Sequence, residues 1–315
     1  AILGDDEKLI SDIAAAAEDL GPKFIAVAGT PIPAMTGFDY QAAAHIIESR
    51  TGIPTLGFAT TGMNTYVSGA GMALEAIARR FTDKAAPKTT ELSANILGLT
   101  PLDFTVNGSD DSIARFLEDS GYRVLSRWAM GSTLEELVQA GSAHVNLVVS
   151  ASGLGAAKAL QEQFCTPYVV GVPIGQMYAE QVRKALTSAV STGENQFPCS
   201  DLPGQEILVI GEGIASLSLA SALELTSGKG AAVLCPTECD PRLLRSKDLM
   251  IQSEEQIQQA MAQAKLVIAD PLFQPVCPPE VRFLKLPVEA FSGRLYRQQI
   301  PNLISQFESY FCEVL

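Results

Sequence analysis

Short unbroken apolar runs alternate along the chain with stretches whose apolar residues recur every three or four positions. The first kind predicts buried strands and the second amphipathic helices. A helix over Asp5–Leu20 opens with acidic residues and stops at Gly21-Pro22. The strand Phe24–Ala28 follows, then a helix Tyr40–Arg50 stopped by Thr51-Gly52, then a strand Thr55–Ala59. Gly62–Gly71 reads as a turn-rich loop before a helix Met72–Phe81, and "TDKAAPKTTE" reads as a linker.

A second set begins at Ser93. The strand "SANILGL" leads to a helix Ser109–Ser120, the strand "YRVLSRW", a helix Leu134–Ala140 and the strand "HVNLVVS". A helix Leu154–Phe164, the strand "PYVVGV" and a helix from Met177 to Val190 complete it. "STGENQFPCSDLPG" is polar and rich in breakers, which marks a boundary. The third set holds "EILVIGEG", a helix Ile214–Leu225, "AAVLC", a helix Glu254–Ala264, "KLVIAD" and "RFLKLP", and a last helix Ile300–Val314 closes the chain.

β-branched runs joined by helices predict parallel strands covered on both faces. The expected fold class is therefore α/β: three doubly wound, Rossmann-like parallel-sheet domains around a central cleft, the first short of strands. The boundaries are expected at residues 1–90, 91–195 and 196–299, with 300–315 a C-terminal helix packing back on the body.

Composition narrows the partners. A net charge of −13 and the absence of any Lys/Arg cluster argue against nucleic acid. No apolar run reaches the ~18 residues of a membrane span, and no charged-then-apolar leader is seen, so the expectation is a soluble, cytoplasmic protein with no membrane partner. The opening "AILGDDEKL" reads as mid-fold, so residues upstream of Ala1 are expected. The six cysteines are scattered in a long chain and make no secreted disulfide framework.

The motifs divide between chemistry and plain structure. "LVIGEGIAS" places Gly211 and Gly213 between a strand and a helix, part of a dinucleotide fingerprint. Its third glycine is Ser216, and the next strand ends in Leu234-Cys235, where an acidic residue would hold a ribose. An ordinary tight turn explains it better. Cys235 and Cys239 in "CPTEC" have no second cysteine pair for a structural zinc site and read as free thiols. Neither His45 nor His144 is placed to act as a catalytic base, and "SASGLG" lacks a nucleophile-elbow spacing. "SASGLGAAK" does put Ser150, Ser152, Gly153 and Gly155 at a strand end, either an anion seat or a tight turn with a cap.

Taken in order, these pieces resemble nitrogenase component 1 and its relatives, which include the protochlorophyllide and chlorophyllide reductases. The residues that carry the resemblance are "GTPIPAMTGFD" (Gly29–Asp39), "GIPTLGFATTG" (Gly52–Gly62), "ANILGLTPLDF" (Ala94–Phe104) and "GYRVLSRWAMGSTLEEL" (Gly121–Leu137), together with "LGDDEKL" (Leu3–Leu9). They continue through "HVNLVVSASGLGAAKALQEQFCTPYVVGVPIG" (His144–Gly175), "AKLVIADP" and "FLKLPVEAFSGR". The resemblance implies three α/β domains, a homologous partner subunit in a homo- or hetero-dimer, and an ATP-dependent iron–sulfur reductase as electron donor. It also implies a bridging iron–sulfur cluster and a deeper pocket where the domains meet.

Two departures bear on those metals. Thr30 stands where cluster-bearing members of the family have a cysteine, and Ser150 stands where the molybdenum–iron catalytic subunit has its cofactor cysteine. Neither metal site carries over, so an iron–sulfur cluster is expected only if upstream or partner cysteines supply the ligands. Cys165, in "EQFCTPY", reads as packing.

The leading expectation is a nitrogenase-like oxidoreductase subunit with a small-molecule or cofactor pocket between domains. Its wall is expected from strand ends: Thr30, Pro31, Thr60, Thr61 and Gly62 of the first domain, Gly98, Thr100, Ser150, Ser152 and Gly153 of the second, and Gly211 and Gly213 of the third. Their roles would be backbone and hydroxyl hydrogen bonds. The alternatives are a non-catalytic scaffold of the same fold for a tetrapyrrole or metallocofactor, and an unrelated NAD-dependent dehydrogenase built on the Gly211/Gly213 turn.

Overall fold

The computed structural model describes residues 6–35, 37–251 and 253–312. The expected first residue of the opening helix, Asp5, and the expected end of the last, Val314, lie outside them. Three separate sheets, every pairing parallel, organise the chain.

The first sheet has two strands, β1 (Ile25–Ala28) and β2 (Thr55–Phe58). Helices α1 (Asp6–Leu20) and α2 (Tyr40–Thr51) close a small core of Ile10, Val27, Tyr40, Ala43 and Ile47. The sequence signals at α2 are used as expected: Asp39 accepts the N–H groups of Gln41 and Ala42, and Gly52 ends the helix at φ +70°.

The expected loop Gly62–Gly71 is largely helix, because α3 runs Tyr66–Phe81. Gly69 and Gly71 serve close packing rather than turning. A Cβ on Gly71 would stand 3.5 Å from the Ser152 carbonyl oxygen, and one on Gly69 3.8 Å from Thr60. Gly155, on the neighbouring helix, leaves room for Glu75 in the same way.

The second sheet has the order β4-β3-β5-β6: β3 (Ser93–Leu97), β4 (Arg123–Trp128), β5 (Val145–Val148) and β6 (Tyr168–Val170). Its long helices are α4 (Ser109–Asp119), α5 (Leu154–Phe164) and α6 (Gln176–Thr192). α3 lies along α5, tying the first unit to the second. The helix expected over Leu134–Ala140 is α-helical only to Val138 and then tightens to 3₁₀.

The third sheet has the order β11-β10-β7-β8-β9: β7 (Ile207–Ile210), β8 (Ala231–Cys235), β9 (Leu249–Met250), β10 (Leu266–Ala269) and β11 (Arg282–Lys285). β9 has no counterpart among the expected strands, since its two residues are exposed and carry no apolar run. It is anchored from below by Arg245, whose guanidinium bonds both oxygens of buried Asp248 at 2.8 and 2.9 Å. Helices α7 (Gly213–Ser227) and α8 (Glu254–Met261) flank this sheet. The last helix, α9 (Leu303–Tyr310), starts later than expected because Asn302 caps it by accepting the Ile304 N–H. It buries Phe307 and Phe311 in a core that runs without a break through the second and third sheets.

In both larger sheets the strand order reverses once, between β3 and β5 and between β7 and β10. The carboxyl ends of strands at such a reversal leave a crevice where open α/β sheets bind ligands.

Candidate functional site

The second-sheet crevice is built from backbone approach. Gly98, just past β3, has φ +89°, and a Cβ there would stand 2.6 Å from the Ser150 hydroxyl. A Cβ on Gly153 would meet the Leu97 carbonyl at 2.6 Å. Only glycine admits this contact. Ser150 is fully buried, and its hydroxyl donates to the Gly98 carbonyl at 2.7 Å and pairs with Ser152 at 2.6 Å. Its nearest bonds are thus those of a fastened turn.

After Gly98 the chain enters a one-turn helix, Pro101–Phe104, capped by Thr100. Asp103 ends up on the inner side of that turn. Its carboxylate accepts the Thr100 hydroxyl at 2.6 Å and the hydroxyl of Tyr66 from the start of α3. Burial pushes the Asp103 carboxyl up to about 6, while the hydroxyls of Thr100, Tyr66 and Ser150 hold it from rising further. Burial likewise lifts the Tyr66 phenol far above its ordinary range, with the Asp103 charge adding to the lift.

The third-sheet crevice places a second carboxyl opposite. Glu212 lies between Gly211 and Gly213 in the turn from β7 to α7 and is only 3% exposed. It caps α7 by accepting the Ala215 N–H at 2.9 Å, and its other oxygen accepts the Ala151 N–H at 2.8 Å across the interface. Burial, then the nearby Asp103 charge, raise the Glu212 carboxyl to about 8, against the pull of those two N–H donors. Burial of both carboxyls and the repulsion between them thus favour a proton held by the pair rather than two charges.

Asp103 and Glu212 both line a cavity of about 90 Å³ between the second and third sheets. The remaining wall is mostly apolar, including Val172, Ile174, Val209, Leu219, Leu286 and Ile304, with Ser109 and Ser216 as its other polar side chains. By volume it has room for several waters or one small molecule.

The residues expected from sequence fall into three groups. Gly211 lines the cavity, and Thr100 reaches it through Asp103. Gly98, Ser150, Ser152 and Gly153 form the fastened turn behind Asp103. Thr30, Pro31, Thr60, Thr61 and Gly62 cluster with one another: the Thr60 hydroxyl donates to the Gly29 carbonyl at 2.8 Å, and a Cβ on Gly62 would stand 3.0 Å from the Pro31 ring. They are not among the cavity-lining residues. Gly213 instead lies against the Cys235 and Cys239 sulfurs. Sequence reasoning missed Tyr66, Asp103 and Glu212. The available signal was a carboxylate placed inside otherwise apolar turns, "TPLDF" and "IGEGI".

The residues present do not fit an iron–sulfur cluster held by this chain, because clusters need several thiolates. Thr30 is exposed and Ser150 is engaged with Gly98. Among the described residues no group of three or more His, Cys, Asp or Glu could hold a metal.

The sequence profile described as nitrogenase component 1 type oxidoreductase matches residues 1–197. The chain belongs to that family. Two relatives are named as a subunit of light-independent protochlorophyllide reductase. The one from Nostoc punctiforme is 35% identical over 99 residues, covering 31% of this chain and 20% of the relative. The one from Angiopteris evecta is 25% identical over 259 residues, covering 70% and 50%. The nitrogenase iron-molybdenum cofactor biosynthesis protein NifE of Clostridium pasteurianum is 26% identical over 170 residues, covering 53% of this chain and 36% of the relative. The chain thus spans from a fifth to a half of these relatives' length. The structure of nitrogenase Cp1 at pH 6.5 superposes with a TM-score of 0.69 at 16% identity, covering 98% of this chain and 79% of the other. This family member therefore shares the nitrogenase fold. No helix among the described residues is long and apolar enough to cross a membrane.

Proposed function

We propose that this chain is a nitrogenase-like oxidoreductase subunit that binds a small molecule in the cavity between the second and third sheets. Electrons would come from an ATP-dependent iron–sulfur reductase, and any cluster would depend on cysteines of a homologous partner subunit or of residues upstream. In this reading Asp103 and Glu212 supply protons to the bound molecule, since each added electron on an organic substrate calls for a proton. The observation that carries the proposal is the carboxyl pair lining a mostly apolar cavity, joined to all three units through Tyr66, Asp103 and Glu212. A carboxyl held protonated near neutral pH is the state a general acid needs.

The test is anaerobic purification of the full-length protein with its partner subunit, followed by iron analysis, a visible spectrum and reductase- and ATP-dependent turnover of candidate substrates. Iron and turnover support the proposal; a colourless, iron-free, inactive complex overturns the electron-transfer role.

A second reading, a non-catalytic scaffold for a tetrapyrrole or metallocofactor, is favoured by hydroxyls rather than thiols at Thr30 and Ser150. The cavity of about 90 Å³ weighs against a tetrapyrrole in its present shape. A thermal-shift screen names the ligand, because specific binding stabilises the fold by mass action, and a stabilising tetrapyrrole or metallocofactor that the reductase-supplied complex leaves unchanged favours the scaffold.

A further inference from the structure

The CPTEC segment lies behind the carboxyl site, where the Cys235 charge adds to the lift on Glu212, and it is closely built. Cys235 is the last residue of β8 and fully buried, and Cys239 follows after one tight loop and is partly open. Gly213, the first residue of α7, faces both thiols: a Cβ there would stand 2.5 Å from the Cys239 sulfur and 3.5 Å from the Cys235 sulfur. One point thus lies close to both sulfurs, which puts them at most about 6 Å apart. Cys235 also bonds the Thr237 carbonyl at 3.3 Å.

We propose that Cys235 and Cys239 form a redox-active dithiol that closes to an intramolecular disulfide under peroxide. The Cys235 thiolate attacks one peroxide oxygen, giving a sulfenic acid and releasing hydroxide. The Cys239 thiol then attacks that sulfur, forming the S–S bond and releasing water. Two thiols lose two electrons, and one peroxide is reduced. Thiolate character on Cys235 is supported by the Cys239 hydrogen bond, which holds its thiol down at about 7, while the Cys239 thiol is pushed up by the same contact.

Closure would be felt at the neighbouring unit. Glu238 accepts the Thr65 backbone N–H at 2.9 Å and also the Thr65 hydroxyl, and Thr65 precedes Tyr66. Drawing the two sulfurs together moves the loop that carries Glu238 and so loosens that clamp.

The full-length protein is reduced, freed of reductant, treated with stoichiometric hydrogen peroxide, alkylated and mapped by mass spectrometry. The expected result is a Cys235–Cys239 linked peptide that disappears on reduction, with Cys165, Cys199, Cys277 and Cys312 still alkylated. In Cys239→Ser the bond cannot form, and a sulfenic-acid trap labels Cys235. Amide exchange across residues 63–67 is expected to quicken in the oxidised protein. Wild-type protein in which Cys235 and Cys239 remain alkylated, or in which either links to another cysteine instead, overturns the dithiol. Unchanged exchange across 63–67 overturns the coupling to Thr65.

Discussion

At the scale of single residues the site is a matter of protons. Asp103 and Glu212 are carboxyls taken out of water, and each meets hydrogen-bond donors that only partly replace hydration. The Tyr66 hydroxyl is one such donor, so Tyr66→Phe should raise the Asp103 carboxyl above its value of about 6, read by carboxyl-carbon NMR titration. An unchanged or lower value would contradict the contact. For Glu212 the folded state binds a proton more tightly than the unfolded chain, with the carboxyl raised from 4.5 to about 8. Its contribution to stability is therefore lost as pH rises between those values, since the native form must release a proton it prefers to keep. Glu212→Gln removes this slope but sets an amide donor against the Ala151 or Ala215 N–H. It should cost about 1–3 kcal/mol at pH 5 and less at pH 9, measured by urea denaturation across pH.

Legibility at this scale is uneven for a physical reason. Glycines at special backbone positions announce themselves, and Gly98, Gly153 and Gly211 do lie at the expected strand ends. A lone carboxylate within an apolar turn looks like any capping residue until the opposing unit is in place. Asp103 does cooperate with Thr100 in a cap and Glu212 does cap α7, so their local roles hide the shared one.

Elements carry these side chains to one place. α3 is the bridge, since its first residue supplies Tyr66 and its glycine face lies on the Ser152 turn. Gly71→Ala should be tolerated or slightly stabilising, because 3.5 Å is ordinary contact and alanine favours helix. Gly71→Leu should overpack the contact and cost about 1–3 kcal/mol, with weaker Tyr66 protection in hydrogen exchange. Equal stability of both variants would show that α3 does not lie so close. The start of this helix reads as loop because glycine is ambiguous in one dimension: it marks turns and close helix contacts alike. Strands such as β8 and helices such as α5, by contrast, are legible to the residue, since unbroken burial fixes the one and a periodic buried face the other.

Across the whole molecule, the reversals of strand order in the second and third sheets meet at one apolar cavity, and one core runs through both. Alternating strand and helix patterns make the fold class readable, and the nitrogenase superposition agrees. The facing of two sheets depends on contacts between residues such as Ala151 and Glu212, 61 positions apart in sequence, which no local pattern encodes. We propose that the three sheets act as three domains whose joint holds the substrate.

That proposal depends above all on a carboxyl that keeps its proton at the joint. Infrared difference spectroscopy of wild-type protein against Glu212→Gln at pH 7 measures it directly. The expected result is a carboxylic-acid C=O band in the wild type that the substitution abolishes and that fades as pH passes about 8. A carboxylate band in its place, or an acid band that survives Glu212→Gln unchanged, would contradict it.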